Sequence, residues 1–213
     1  MGRYDEKKKF LPLAKNFSQE ECKWLTIGIG GDTLVEKQFK QKYPKCQLYG
    51  VEPSPSQFID FDKYGTVIPY GVGIEASTIP LIIRDDTNSY VTKNVSVIPL
   101  EKLLDRFLHT RTVHYMTIDI EGFEYSILNE LLPGKAFAKQ NVTFCQIDAE
   151  LHSDIINDKN VVVNLQQFLK KFTDYPSPYL PIFTTPFLAH EKVTFINVES
   201  EECEKAFNFK KFL

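Results

Sequence analysis

The chain is poor in methionine, tryptophan and cysteine, and several patterns are missing outright. Its four cysteines, Cys22, Cys46, Cys145 and Cys203, show no CxxC spacing. That argues against a zinc site and a dense disulfide framework, and it fits a reducing compartment. No apolar stretch reaches the roughly 18 residues that a membrane-spanning helix needs, and residues 1–30 lack the apolar core of a signal peptide. A basic excess is also missing: 25 Lys and Arg face 28 Asp and Glu, for a net charge of −3. Bulk charge therefore recruits neither nucleic acid nor an anionic membrane. The P-loop pattern G-x-x-x-x-G-K-[ST] does not occur. The dinucleotide fingerprint G-x-G-x-x-G fails because Thr33 stands where its third glycine belongs.

What is present is an ordinary globular composition, 43% apolar, with 17 Phe and 10 Tyr to fill an aromatic-rich core. At 213 residues, without repeats or low-complexity linkers, the chain reads as one domain, 1–213. Residues 1–22 are an N-terminal extension, 23–152 a core, and 153–213 a C-terminal helix with a closing strand pair. Within the core, apolar runs at 23–29, 46–53, 66–73, 113–122 and 141–151 read as strands. Helical patterns at 32–43, 54–65, 99–109, 124–132 and 160–172 alternate with them, and 74–97 reads as short strands around the turn-prone "DDTNS". Ser54 is the expected N-cap of the second helix. Such alternation implies an α/β fold, a mostly parallel sheet with helices on both faces. The extended pair at the end of the chain sets it apart from a dehydrogenase.

In open sheets of this kind ligands bind at the carboxyl ends of the strands, beside the first one. There "WLTIGIGGDT" places Gly28, Gly30 and Gly31 between strand and helix, with Asp32 at the helix start. Glycine at such a bend lets a ligand approach the backbone closely. Glu52, followed by Pro53, ends the second strand about 20 residues on, where a carboxylate can accept ribose hydroxyls. A nucleoside without a pyrophosphate fits this set better than a dinucleotide. A second constellation, "TIDIEGFEY", crowds Asp119, Glu121 and Glu124 into six residues. Glu121 and Glu124 can serve as first-turn helix acids, but Asp119 is expected within the strand and needs another reason to be there. In "QIDAELHS", Asp148, Glu150 and His152 alternate on one side of the fifth strand, with His152 at its rim. The spacing matches no dedicated metal motif, and no metal is assigned.

Four pieces in order, "TIGIGGDT", "YGVEPSP", "VSVIPLEKLLD" and "MTIDIEGFEYSILNEL", resemble the FkbM-like family of S-adenosylmethionine-dependent methyltransferases, and "TIGIGGDTLVEKQF" with "FINV" near the end resembles its divergent nematode-type branch. The resemblance runs from about Trp24 to His152. It implies a Rossmann-like class I methyltransferase fold with a seven-stranded sheet whose last strand is antiparallel. It also implies O-methylation of a small-molecule or glycan hydroxyl. Gly28, Gly30 and Gly31 then match the cofactor loop and Glu52 the ribose acid, while Asp119 and Glu121 lie beside the transferred methyl. His152, with these two acids, is a candidate base. Many members carry an acid two residues before the first glycine; here it is Thr26, whose hydroxyl is a weaker partner for the cofactor's ammonium. That departure keeps open a degenerate, non-catalytic binding module.

Three N-x-[ST] patterns, at Asn16, Asn94 and Asn141, pull against the reducing reading. The expected location is cytoplasmic, with the secretory lumen as the alternative if a precursor carried an N-terminal anchor. No oligomeric state is assigned.

Overall fold

A computed structural model describes residues 1–2, 7–87, 89–152, 164–174, 176–188 and 190–211. Its centre is a seven-stranded sheet. The chain enters it through β1 (Lys23–Ile27), crosses through α1 (Leu34–Lys42) and returns as β2 (Gln47–Val51), then β3 (Thr66–Ile68). These three strands are parallel and build one half of the sheet outward. The other half starts on the opposite side of β1 with β7 (Thr112–Ile118), parallel to β1, and continues with the parallel β8 (Thr143–Leu151). β9 (Tyr179–Phe187) and β10 (His190–Asn197) close it, with β10 between β8 and β9 and antiparallel to both. The order β3-β2-β1-β7-β8-β10-β9 therefore reverses direction at the β1/β7 boundary, and a crevice opens there.

The central strands β1, β7, β8 and β10 are buried on both faces, which explains why they read as nearly unbroken apolar runs, while the edge strand β9 is largely half-buried or exposed. Side chains alternate: Leu25, Ile27 and Met116 pack into one cluster, Trp24, Phe39 and Tyr115 into the other. The second layer includes α6 (Glu201–Phe207), whose Ser200 hydroxyl accepts the Cys203 N–H as an N-cap. The sequence reading missed this helix. Ser200 followed by the acids Glu201, Glu202 and Glu204 in the first turn was its signal.

Local chemistry corrects several other boundaries. Residues 66–73 are two strands, because Pro69 has no N–H to continue a ladder. After it the chain leaves the large sheet and forms β4 (Gly71–Gly73). That strand joins β5 (Ser77–Arg84) and β6 (Tyr90–Pro99) in a three-stranded sheet ordered β4-β6-β5. The helix expected at 54–65 is instead two single 3-10 turns, Pro55–Gln57 and Phe61–Lys63, broken at Ile59, whose φ is 50°. Ser54 stands at the N-cap of the first turn, as expected, but its side chain caps nothing; its hydroxyl donates to the Arg84 carbonyl at 2.6 Å. After β6, α2 (Leu100–Leu103) runs into a π-helical turn, Leu104–Leu108. α3 (Glu124–Asn129) and α4 (Ala136–Lys139) bridge β7 and β8, and α5 (Leu165–Thr173) precedes β9. The expected helical residues 160–163 and the turn residue Asn88 lie outside the described residues.

The reduced-cysteine expectation is overturned. Register places Lys23 opposite Gln47, so the residues one step earlier, Cys22 and Cys46, meet with their Cα atoms 4.6 Å apart and form a disulfide. Cys145, on β8, meets Cys203 of α6 at 5.0 Å and forms a second. CxxC spacing carried no hint of either, because sheet register and helix docking bring the partners together. Closing a loop of this size in the unfolded chain stabilises a fold by about 2–4 kcal/mol. Replacing Cys145 and Cys203 together by serine is therefore expected to lower the unfolding free energy by about that amount in a denaturant titration. Unchanged stability, in the variant and in the dithiol-reduced protein alike, would show the four thiols to be unpaired.

Candidate functional site

The crevice at the β1/β7 boundary widens into a cavity of about 460 Å³, within the range of small-molecule sites. The strand ends of the large sheet form its floor, and β4, β5 and the start of β6 form a wall. Its first pole is the glycine bend. Gly28 has φ 89°, and a Cβ there would collide with the Asp119 carbonyl oxygen, so only glycine lets the loop after β7 pass so close to β1. Among the described residues, a Cβ at Gly30 would meet nothing within 4 Å, and the backbone there lines the cavity. Glu52 lines the cavity at the end of β2 and accepts the Ser54 N–H at 2.8 Å and, weakly, the Gly30 N–H at 3.5 Å. Burial raises its pKa, and the backbone donors only partly offset that.

A diphosphate does not suit this bend. Asp32 caps the Leu34 N–H at 3.0 Å, Asp60 accepts the Thr33 hydroxyl, and Glu36 lies in the first turn of α1. Carboxylates thus already occupy the helix end that would otherwise attract phosphate. The apolar side chains Val51, Tyr70 and Leu81, together with the open backbone at Gly30 and the carboxyl of Glu52, fit a nucleoside carrying positive charge. Asp32 and Pro53 also line the cavity, but Thr26 does not. Thr26 is buried on the Trp24 face of β1, where its hydroxyl accepts from Thr117 at 2.7 Å. Strand alternation turns it away, and a cofactor-contacting role for Thr26 is withdrawn.

The second pole is built on the loop between β7 and α3. Asp119 falls just beyond the strand end, not within it, because Glu121 (φ 55°) and Gly122 (φ 102°) turn the chain at once. Glu124 is no solvated first-turn acid. Fully buried, it folds back to accept the Ile120 N–H at 2.7 Å, the Gly122 N–H at 3.0 Å and His152 Nδ1 at 3.0 Å. One carboxylate thereby fixes both the loop and the imidazole. His152 Nε2 faces Glu121 at 3.5 Å, Asp119 at 3.7 Å and Glu150 at 3.9 Å. Burial pulls the His152 pKa down, but the hydrogen bond and charge of Glu124, then the charges of Asp119 and Glu121, outweigh it and raise it to about 9. Burial and the Asp119 charge also raise Glu150, against Lys192, whose ammonium lies 3.0 Å away. Around neutrality His152 is therefore a cation that gathers carboxylates.

The structure brings Gly28, Gly30, Gly31, Asp32, Glu52, Pro53, Asp119, Glu121 and His152 to one cavity. It gives Asp148 a different task, accepting the Lys9 N–H at 2.8 Å and the Thr194 hydroxyl at 3.1 Å. Sequence reasoning missed Arg84 and Tyr90. Arg84 donates to the Tyr90 hydroxyl at 2.8 Å, which donates to Glu121 at 3.1 Å and ties the small sheet across the site. No local pattern marks them, because a hairpin delivers them from a distance in sequence. Two sets, Glu150 with His152 and His190, and Asp119 with Glu124 and His152, have donor atoms within 4.8 Å of one another. A metal there would have to displace the proton of His152, and in the first set the ammonium of Lys192 as well.

A parallel sheet closed by an antiparallel hairpin, with a glycine bend facing a strand-end acid, defines a Rossmann-like class I methyltransferase fold. The chain belongs to the FkbM family of S-adenosylmethionine-dependent methyltransferases: residues 4–177 match the Methyltransferase FkbM domain. No curated protein sequence matches it. Among solved structures it is similar to a fibrillarin/Nop5p complex chain, at 12% identity over 84% of this chain and 73% of that one, with a TM-score of 0.47. A SAM-dependent methyltransferase from Aquifex aeolicus is 12% identical over 84% of this chain and 83% of its own, with a TM-score of 0.41. The antibiotic-resistance methyltransferase Kmr is 10% identical over 88% and 98%, with a TM-score of 0.45.

The raised His152 pKa makes a stability prediction. The protonated ring favours the folded state, so its contribution is complete below the ordinary value of 6.5 and is lost as pH rises through about 9. The loss amounts to up to about 3 kcal/mol. Denaturant titrations from pH 6 to pH 10 are expected to show this fall in the wild type and a flatter profile in His152→Gln. Parallel profiles would mean that the ring is neutral in the folded protein.

Proposed function

We propose that this chain is an S-adenosylmethionine-dependent O-methyltransferase acting on a hydroxyl of a small molecule or glycan, with residues 1–213 working as one domain. One observation carries the reading: a nucleoside-type pole and an acid–imidazole pole share a single cavity. Gly28, Gly30, Gly31, Asp32, Glu52 and Pro53 would hold the cofactor, Glu52 taking the ribose hydroxyls. When bound, the cofactor supplies a methyl group activated by its sulfonium.

The acceptor is prepared by the chain's own residues. Asp119 accepts the hydroxyl's hydrogen bond and takes its proton, with Glu121 as its partner across His152. His152 is then not the base: held protonated by Glu124, it donates to the carboxylates around it and fixes them, and the abstracted proton stays on Asp119. A base so placed contributes about 10²–10⁴-fold, and alignment in a water-poor cavity supplies the rest. Tyr90, 52% exposed at the cavity edge, offers a flat face to a sugar ring or aromatic acceptor.

The rival reading, a binding module without catalysis, draws on Thr26, which leaves the first strand without a side chain for the cofactor's ammonium. Calorimetric titration with S-adenosylmethionine and S-adenosylhomocysteine decides between cofactor use and inherited architecture. Micromolar binding is expected, weakened about 10–100-fold in Glu52→Gln, the worth of a hydrogen bond to a charged group. NADH is expected to give no heat. A folded protein that ignores both adenosyl compounds would sink the methyltransferase reading.

A further inference from the structure

We propose that Asn16, Asn94 and Asn141 are acceptor sites for N-linked glycans, and that this domain matures in an oxidising, glycosylating compartment. The three sequons lie on unrelated elements, yet the fold treats them alike. In each, the asparagine is exposed while the middle residue is buried: Phe17, Val95 and Val142 are 9%, 6% and 4% accessible. Asn16 sits in a turn before β1. Asn94 lies on β6, where alternation sends Val95 and Val97 inward and leaves Asn94 and Ser96 on the solvent face. Asn141, with φ 57°, occupies the turn between α4 and β8, a conformation asparagine tolerates. Each side-chain amide can carry a bulky polar chain without displacing packed side chains, and none of the three lines the cavity.

The cysteines point the same way independently. All four are fully buried and paired, leaving no free thiol. Structural disulfides persist where thiols are not kept reduced, which is also where sequons meet their transferase. The co-substrate is an oligosaccharide on a lipid diphosphate. Asn Nδ2 forms a C–N bond to the anomeric carbon, the C–O bond to the diphosphate breaks, and one amide proton leaves with the lipid diphosphate. No electrons change hands. The inference does not depend on the methyl-transfer reading.

The test is peptide mapping of the protein isolated from its own cells under thiol-blocking conditions, digested with peptide N-glycosidase in ¹⁸O water. Asn16, Asn94 and Asn141 are expected to return as ¹⁸O-labelled aspartate, with all four cysteines protected until reduction. Unmodified asparagine peptides, or cysteines alkylated before reduction, would overturn the proposal. A second arm secretes the full chain from cultured animal cells. There Asn16→Gln, Asn94→Gln and Asn141→Gln should each remove one glycosidase-sensitive mobility step. A secreted, folded chain with the bare polypeptide mass refutes all three sites.

Discussion

The site depends on one close approach. At the end of β1 the chain bends at Gly28, and the carbonyl of Asp119 occupies the space a side chain would need. The two strand ends are locked there, with Asp119 N–H on the Ile27 carbonyl at 3.0 Å and Gly28 N–H on the Val51 carbonyl at 2.9 Å. That contact joins the two halves of the sheet at their point of reversal. It also sets the glycine bend and the acidic loop around one cavity. A side chain at Gly28 would part the strands and separate the poles.

Around that contact, charge is arranged at considerable cost. Glu124 and His152 are almost wholly removed from water, and so are Glu150 and Lys192. Each would cost several kcal/mol to bury alone. The fold offsets this by giving Glu124 backbone N–H donors and by pairing each acid with a cation. An arrangement this costly holds Asp119 and Glu121 in place while leaving them partly exposed to the cavity. The same logic accounts for Asp148 and Gln146. Polar and buried on β8, they clasp the extended segment at Lys9 and Leu11, and Phe10 between these residues packs edge-on against Trp24.

Periodicity and turn chemistry made much of the architecture legible. Alternating runs, the glycine bend, Glu52 and the acidic loop were readable because strand and helix periods repeat over short distances. The closing antiparallel pair was readable too, as two extended segments with a turn. Errors arose where one residue overruled a pattern. Pro69 cut a strand in two, positive φ at Ile59 broke a helix, and the turn at Glu121 moved Asp119 out of its strand.

By itself the sequence determined the sheet class and the candidate ligand pole, because those follow from local spacing, and its four ordered motifs carried the family resemblance. Only the tertiary structure decided three other matters. It faced Thr26 into the core, since one step along a strand reverses a side chain. It paired cysteines 24 and 58 residues apart, since register and docking bring them together. And it made Glu124 the anchor of His152 at a separation of 28 residues. A contact between distant segments has no local signature, because its energy exists only once the sheet has brought the two segments together.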